Sequence, residues 1–354
     1  MIATLAILLV SGVARSQEVE SRDGLLDPLP IRDQFLLNNG FFFFEPQTPR
    51  TLAPGESILT FHATDANTFA KSGWVSRSLE GQDARADALA ELAEQRYAIA
   101  PELFLIDGET HRSELAYRRG FGDHLEISIS VPVQRIGGGW SDRLIESVHH
   151  TLEIGNAERE SLRQNSETVF LRTGAMEYTR NRSAGWALGD VSMSAKLELT
   201  PFEERGTALA LAGAVEFPTG NAKTLDGSGS FDGGLQLIAA HDVHGARIHA
   251  SLGVLWLGPD APLGTKRQFV VTDTVGVSHM LTARTAGTVQ LTVSECPFRQ
   301  IGIAEFGRRA YQLSVGARHA IGRSTVLYGA FIENLFNYDN SADAGFAWGI
   351  SRRF

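Results

Sequence analysis

The stretch Ala344–Phe354, AGFAWGISRRF, alternates with a period of two. Phe346, Trp348, Ile350 and Phe354 fall on one side, and Gly345, Ala347, Gly349, Ser351 and Arg353 on the other. Large apolar groups on one face and small or polar groups on the other describe a strand set between lipid and a polar interior. Arg352 breaks the pattern on the large side; at a strand end its long stem can carry the charge to the membrane interface.

The same alternation recurs upstream. In His124–Gln134, Leu125, Ile127, Ile129, Val131 and Val133 oppose Glu126, Ser128 and Ser130. From Val191 to Leu199, apolar residues alternate with Ser192, Ser194, Lys196 and Glu198. From Arg247 to Trp256, Ile248, Ala250, Leu252 and Val254 alternate with Arg247, His249 and Ser251. Further strands are predicted near 57–64, 109–118, 209–217, 235–240, 269–280, 287–293, 311–317 and 326–335. Short turns near 200–206, 241–245, 280–285 and 319–324 alternate with longer connections near 218–230, 258–267, 295–307 and 336–343. Short turns at one end and long loops at the other are the arrangement of a membrane β-barrel. The fold expected is therefore all-β: a transmembrane antiparallel β-barrel of about 12 strands, within a range of about 10–14. A final strand ending on Phe354 resembles the closing strand of bacterial outer-membrane barrels, which the assembly machinery reads.

Composition agrees. Apolar residues make up 43% of the 354-residue chain, and Gly is frequent at 36 residues. After the N-terminus no run reaches the roughly 18 apolar residues a transmembrane helix needs. A barrel escapes that test because only alternate residues meet lipid. The net charge of -9 and the lack of a basic cluster argue against nucleic acid as a partner. Cys296 is the single cysteine, so no intrachain disulfide forms.

Residues 1–16 read as a signal peptide: an apolar run, Ile2–Val13, then Ala14-Arg15-Ser16 at the cleavage site. Residues 17–56 form an N-terminal periplasmic or plug-like segment containing the apolar run Gln34–Phe44. Residues 57–354 make the barrel. Within it, 135–188 is a long extracellular loop with a helix at Trp140–Leu152, on which Leu144, Ile145, Val148 and Leu152 share a face. A second helical stretch is expected at Ala84–Tyr97. Val169–Tyr178 reads as a strand of a loop hairpin outside the wall.

The charges fall mostly on the polar side of the strands. Lys or Arg at the lipid midplane costs roughly 2–4 kcal/mol, which points them inward. The candidate lumen residues are Arg112, Glu114, Arg118, Glu126, Lys196, Glu198, Glu216, Arg247, His249, Arg318, Glu333 and Arg353. Their signs nearly balance, which suits internal pairing or a pathway of mixed selectivity rather than a one-sign filter. Asp273 is the exception, on the same side as Val275 and Val277; the rim or a bulge would account for it. Asp142 and His149 are candidate anchors fastening the loop helix over the mouth. On that helix adjacent histidines point about 100° apart, so no metal site is assigned and no cofactor is expected. His249 and Ser251 share a strand face, but without the strained turn a serine nucleophile uses.

Several segments also resemble, in order, the DUF3187 family of predicted outer-membrane proteins of unknown function. They are Pro28-Leu29-Pro30-Ile31-Arg32-Asp33-Gln34, Asp107-Gly108-Glu109, Gly138-Gly139-Trp140-Ser141-Asp142 with Ile145 and His149, Leu188-Gly189-Asp190, Glu216-Phe217-Pro218-Thr219-Gly220-Asn221, and Gly227-Ser228-Gly229-Ser230. The resemblance implies a barrel and an outer-membrane address, and supplies no reaction or ligand. The expectation drawn is a passive channel or uptake protein for small solutes in the bacterial outer membrane, with membrane lipid and the assembly machinery as partners. A closed barrel with partner-binding loops is the alternative, and a surface hydrolase a more distant one.

Overall fold

The computed structural model describes residues 22–73, 75–76, 103–141, 150, 165, 167–173, 176–180, 185–201, 206–259, 268–298 and 302–354. They form fifteen strands: β1 (Ser57–Lys71), β2 (Leu103–Phe121), β3 (Leu125–Gly137), β4 (Thr168–Thr173), β5 (Met176–Thr179), β6 (Ala187–Leu188), β7 (Val191–Thr200), β8 (Thr207–Phe217), β9 (Asp232–Val243), β10 (Ala246–Trp256), β11 (Phe269–Thr282), β12 (Thr285–Glu295), β13 (Arg309–Ile321), β14 (Thr325–Leu335) and β15 (Ala344–Arg353).

Twelve of them close a ring. Each of β7–β15 pairs antiparallel with the next, β7 joins β3, β3 joins β2, β2 joins β1, and β1 returns to β15. At the seam Ile58 stands opposite Arg353 and Asn67 opposite Ala344. Backbone bonds between Phe354 and Ser57, at 2.9 and 3.3 Å, continue the ladder past the last pair. Closure leaves the twelve ring strands without a free edge, which is the condition for crossing lipid with β structure.

The hairpin β4–β5 lies outside this ring. It pairs onto Leu103–Asp107, the part of β2 that continues beyond the end of β3. Arg135–Gly137 still belong to β3, and β6 returns to pair with Val133 and Gln134. The helices expected at Ala84–Tyr97 and Trp140–Leu152 fall outside the described residues, apart from Trp140, Ser141 and His150. The anchors Asp142 and His149 lie outside them too.

All the tight links sit at one end, with the seam's termini. The two-residue link between β9 and β10 turns on His244 and Gly245, both at positive φ (47° and 83°). That two-residue geometry matches the right-handed twist of the strands, and glycine adopts it without strain. The long connections sit at the opposite end.

Alternation sorts the wall. Ile127, Ile129, Leu197, Leu211, Leu235, Leu252, Val275, Val289 and Val315 are exposed on the outside. Toward the long-loop end this band is edged by Trp256, Phe269, Tyr311 with Phe336, and Phe331 with Phe346. Arg352 lies over the Phe354 ring at 5.5 Å, near the short-turn rim.

The interior is filled by residues 25–52, which run up the barrel and back. On the way up, Leu25 and Leu26 pack on Met280, Ala286, Ala320 and Val326. Leu29 and Ile31 then pack on Tyr328, Ala330, Ile332 and Ala347. At the long-loop end Phe35, Leu36 and Phe41 join Phe104, Ile136, Leu255, Val270, Phe298 and Phe306 in one apolar cluster. Cys296 is buried in this cluster. On the way down, the chain passes Gln236 and Lys196 before reaching β1. Burying each such Phe or Leu contributes about 1.5–3 kcal/mol.

Candidate functional site

Residues 22–56 have almost no regular structure, so their backbone groups need partners from elsewhere. The wall supplies them from its inward positions. Gln290 receives a bond from the Leu29 N–H (2.9 Å) and donates to the Leu29 carbonyl (3.0 Å). Gln312 does the same for Gln34 N–H and the Arg32 carbonyl, both at 3.1 Å. Arg318 Nη2 donates to the Pro28 carbonyl at 2.6 Å. Ser294 donates to Asp33, which also accepts from the Phe35 N–H and the Asn38 amide. Arg32 Nη2 closes the apex by donating to the carbonyls of Asn38 and Phe41.

The descending arm is held through charge. Lys196 Nζ lies 3.2 Å from Glu126 Oε1 and donates to the Thr48 carbonyl at 3.1 Å. Glu126 also accepts from the Leu52 N–H, and Arg118 stands 3.7 Å from it. Glu198 accepts from both the N–H and hydroxyl of Thr51 at 3.0 Å. On the ascending arm, Arg247 pairs with Asp242 at 2.6 Å and reaches Asp27 at 3.6 Å.

Between the two arms and the wall lies a cavity of about 170 Å³. One side of it is wall, carrying Ser128, Ser130, Ser192, Ser194, Ala116 and Ala214; these short side chains leave the space. The other side is the internal segment, including Arg32, Phe43 and Glu45. Charge is concentrated at mid-height. His62 Nε2 lies 3.3 Å from Glu45 and 3.7 Å from Glu114. Arg112 donates to Glu114 at 3.0 Å and to Gln134 at 3.1 Å, and Ser130 also donates to Glu114. Glu216 lines the same cavity, buried, with Oε2 lacking a hydrogen-bond partner. The arrangement offers both signs of charge to one small space.

Of the residues singled out in the sequence, Arg112, Glu114, Arg118, Glu216 and Arg318 line this cavity. Glu126, Lys196, Glu198 and Arg247 hold the internal segment instead. His249 is inside, 3.5 Å from Ser278, which bonds on to Thr288. Arg353 shares the inward parity of Ser351 at the short-turn rim.

Glu333 requires a correction: it faces outward. In β14 the inward residues are Val326, Tyr328, Ile332 and Asn334, because the lumen there meets Leu25, Leu26, Leu29 and Ile31. An apolar interior partner inverts the rule that apolar residues face lipid. Asp273 is also outward, 3.8 Å from Arg309, which lies equally close to Glu295. The register irregularity in the β11–β12 ladder is at Met280/Thr282, away from it.

Sequence reasoning missed the residues that grip the segment, Gln290, Ser294 and Gln312. Their only signal was inward parity among otherwise small polar residues. Three of the quoted motifs converge at the long-loop end. Asp190 accepts from the N–H groups of Gly220 (2.6 Å) and Ser228 (2.7 Å), and Thr219 donates to the Gly189 carbonyl (2.7 Å). Burial lifts the Asp190 carboxyl above the usual range, and these N–H groups oppose that. A side chain at Gly40 would meet the Gly227 carbonyl at 2.9 Å, so this knot rests directly on the apex of the internal segment.

The family model described as "Protein of unknown function (DUF3187)" matches residues 10–354. Among solved structures, the chain is similar to the COG4313 outer membrane channel from Pseudomonas putida F1. Identity is 13%, the match covers 88% of this chain and 100% of that one, and the TM-score is 0.55. The NanC porin aligns with 9% identity over 83% of this chain and 98% of its own, at a TM-score of 0.43. The Pseudomonas putida toluene transporter TodX aligns with 10% identity over 85% and 90%, at 0.40. No curated protein matches the chain.

Proposed function

The chain belongs to the DUF3187 family, and we propose that it is an outer-membrane channel for small polar solutes that pass beside its internal segment. The observation that carries this reading is the cavity between residues 27–48 and the serine-lined wall of β3 and β7. A barrel that served only as an anchor has no need of an interior space with charged groups of both signs. The closed ring, the outer apolar band and the aromatic edge support a place in a bilayer. Export on a leader ending near Ser16, and engagement of the assembly machinery by the strand ending in Phe354, belong to the same reading.

The test is solute flux into liposomes carrying the refolded protein. Ser194→Trp fills the serine side of the cavity, so flux falls several-fold with the fold intact. Unchanged flux counts against a path through this cavity.

The apolar cluster of Phe35, Phe41, Phe298 and Phe306 at the long-loop end favours a second reading, a closed barrel that acts through its loops. No flux from the full chain, or from one lacking residues 22–44, would establish it.

A further inference from the structure

A second cluster of ionisable residues lies on the outer side of the same wall. On β1 and β2, the side shared by Phe61, Ala63 and Leu115 faces outward, and Asp65, Glu109 and His111 have that parity. Asp65 and His111 are register partners, and Glu109 is two residues further along the face. One ligand atom from each lies within 4.8 Å of the other two. Across the seam Asp65 is opposite Phe346, whose ring meets Phe331 at 5.5 Å in the aromatic edge. That places the cluster at the level of lipid headgroups.

The chain covers the cluster from outside with residues 139–141. Trp140 Nε1 donates to Asp65 Oδ2 at 2.9 Å, and His111 Nδ1 lies 2.9 Å from the same oxygen. The Ser141 N–H donates to Glu109 Oε2 at 3.2 Å, while its hydroxyl accepts from Asn67 at 3.3 Å. A Cβ at Gly139 would lie 1.1 Å from Glu109 Oε2, so the cover fits only with glycine there.

Glu109 is 0% exposed, and its Oε1 is buried with no hydrogen-bond partner. A buried, unpartnered carboxylate oxygen is costly, and a second carboxylate beside it adds like-charge repulsion. Arg135, opposite His111 in the β2–β3 ladder, is the nearest arginine in register and stands beyond the histidine. A cation seated between the two carboxylates and the imidazole relieves both costs.

We propose that Asp65, Glu109 and His111 form a divalent-cation site on the outer face of the barrel. Two carboxylates and one imidazole suit a borderline ion such as Zn²⁺, and three protein ligands leave one position open. The site is independent of the channel reading, because it lies on the other side of the wall.

Cobalt(II) is the probe, since its visible bands report ligand geometry, and zinc is the competitor. The refolded mature chain is expected to take up one equivalent of Co²⁺ saturably and to release it to Zn²⁺. Glu109→Gln and His111→Gln each weaken binding about tenfold or more, whereas His241→Gln near the short-turn end of β9 leaves it unchanged. Heat-modifiable gel mobility checks folding. Should Glu109→Gln not fold, His111→Gln carries the comparison, because that ring is already partly exposed. Absence of saturable uptake by the unsubstituted chain overturns the proposal. So does uptake that both variants retain, which would mark an ion held adventitiously by other histidines.

Discussion

Lys196 shows what a single lumen residue does here. It is 1% exposed and neutralises Glu126 while donating to the backbone of the internal segment. Its charge was legible in the sequence, because an outward lysine in mid-strand is expensive. Its role was not, since the Thr48 carbonyl is 148 residues away. Replacing it with methionine leaves Glu126 buried with only the more distant Arg118. Lys196→Met is therefore expected to cost about 3 kcal/mol, measured as a lowered urea midpoint for loss of heat-modifiable mobility. Asp65, Glu109 and His111 were legible in another sense. Their parity matches that of Leu115 and Tyr117, but charges in a barrel were assumed to face inward.

At the scale of elements, the strands were readable, whereas of the internal segment only a plug-like character was, not its path. Strand alternation encodes two environments directly, so ring strands and turn ends follow from period and spacing. Residues 22–56 have no period. Their conformation is set by Gln290, Ser294, Gln312 and Arg318, side chains that belong to other elements. The same segment explains the inverted parity of β14, where Glu333 turns out and Ile332 turns in. The grip is testable. Gln290→Leu removes two hydrogen bonds to Leu29 and leaves its N–H buried and unpaired, while its carbonyl keeps the Ile31 N–H at 2.9 Å, a loss of about 2 kcal/mol. Limited proteolysis from the short-turn side is expected to cut residues 22–30 faster in that variant. Equal cutting rates would show that the apolar contacts of Leu25 and Leu29 suffice.

For the whole molecule, wall and contents make separable contributions. The ring is closed by backbone ladders, including ten register pairs from Ile58↔Arg353 to Asn67↔Ala344. Those bonds do not involve residues 22–44. A chain lacking them is expected to form a heat-modifiable barrel, with a lower denaturant midpoint and a conductance several-fold above that of the full chain in planar bilayers. Near-balanced lumen charges predict weak preference between anions and cations in that open form. Conductance equal to the full chain's would mean that the long loops, rather than the internal segment, set the restriction.

The seam between β1 and β15 also carries a consequence for the order in which the molecule assembles. Its partners stand almost at opposite ends of the chain, the kind of contact that forms slowly because so much chain must be brought to one point. The internal segment leads directly into β1, and its grips on β12 and β13 arise late in synthesis. It therefore has no complete berth until the ring is nearly built. Docking of the segment and zipping of the seam thus share one closing moment, and a lesion in either delays both.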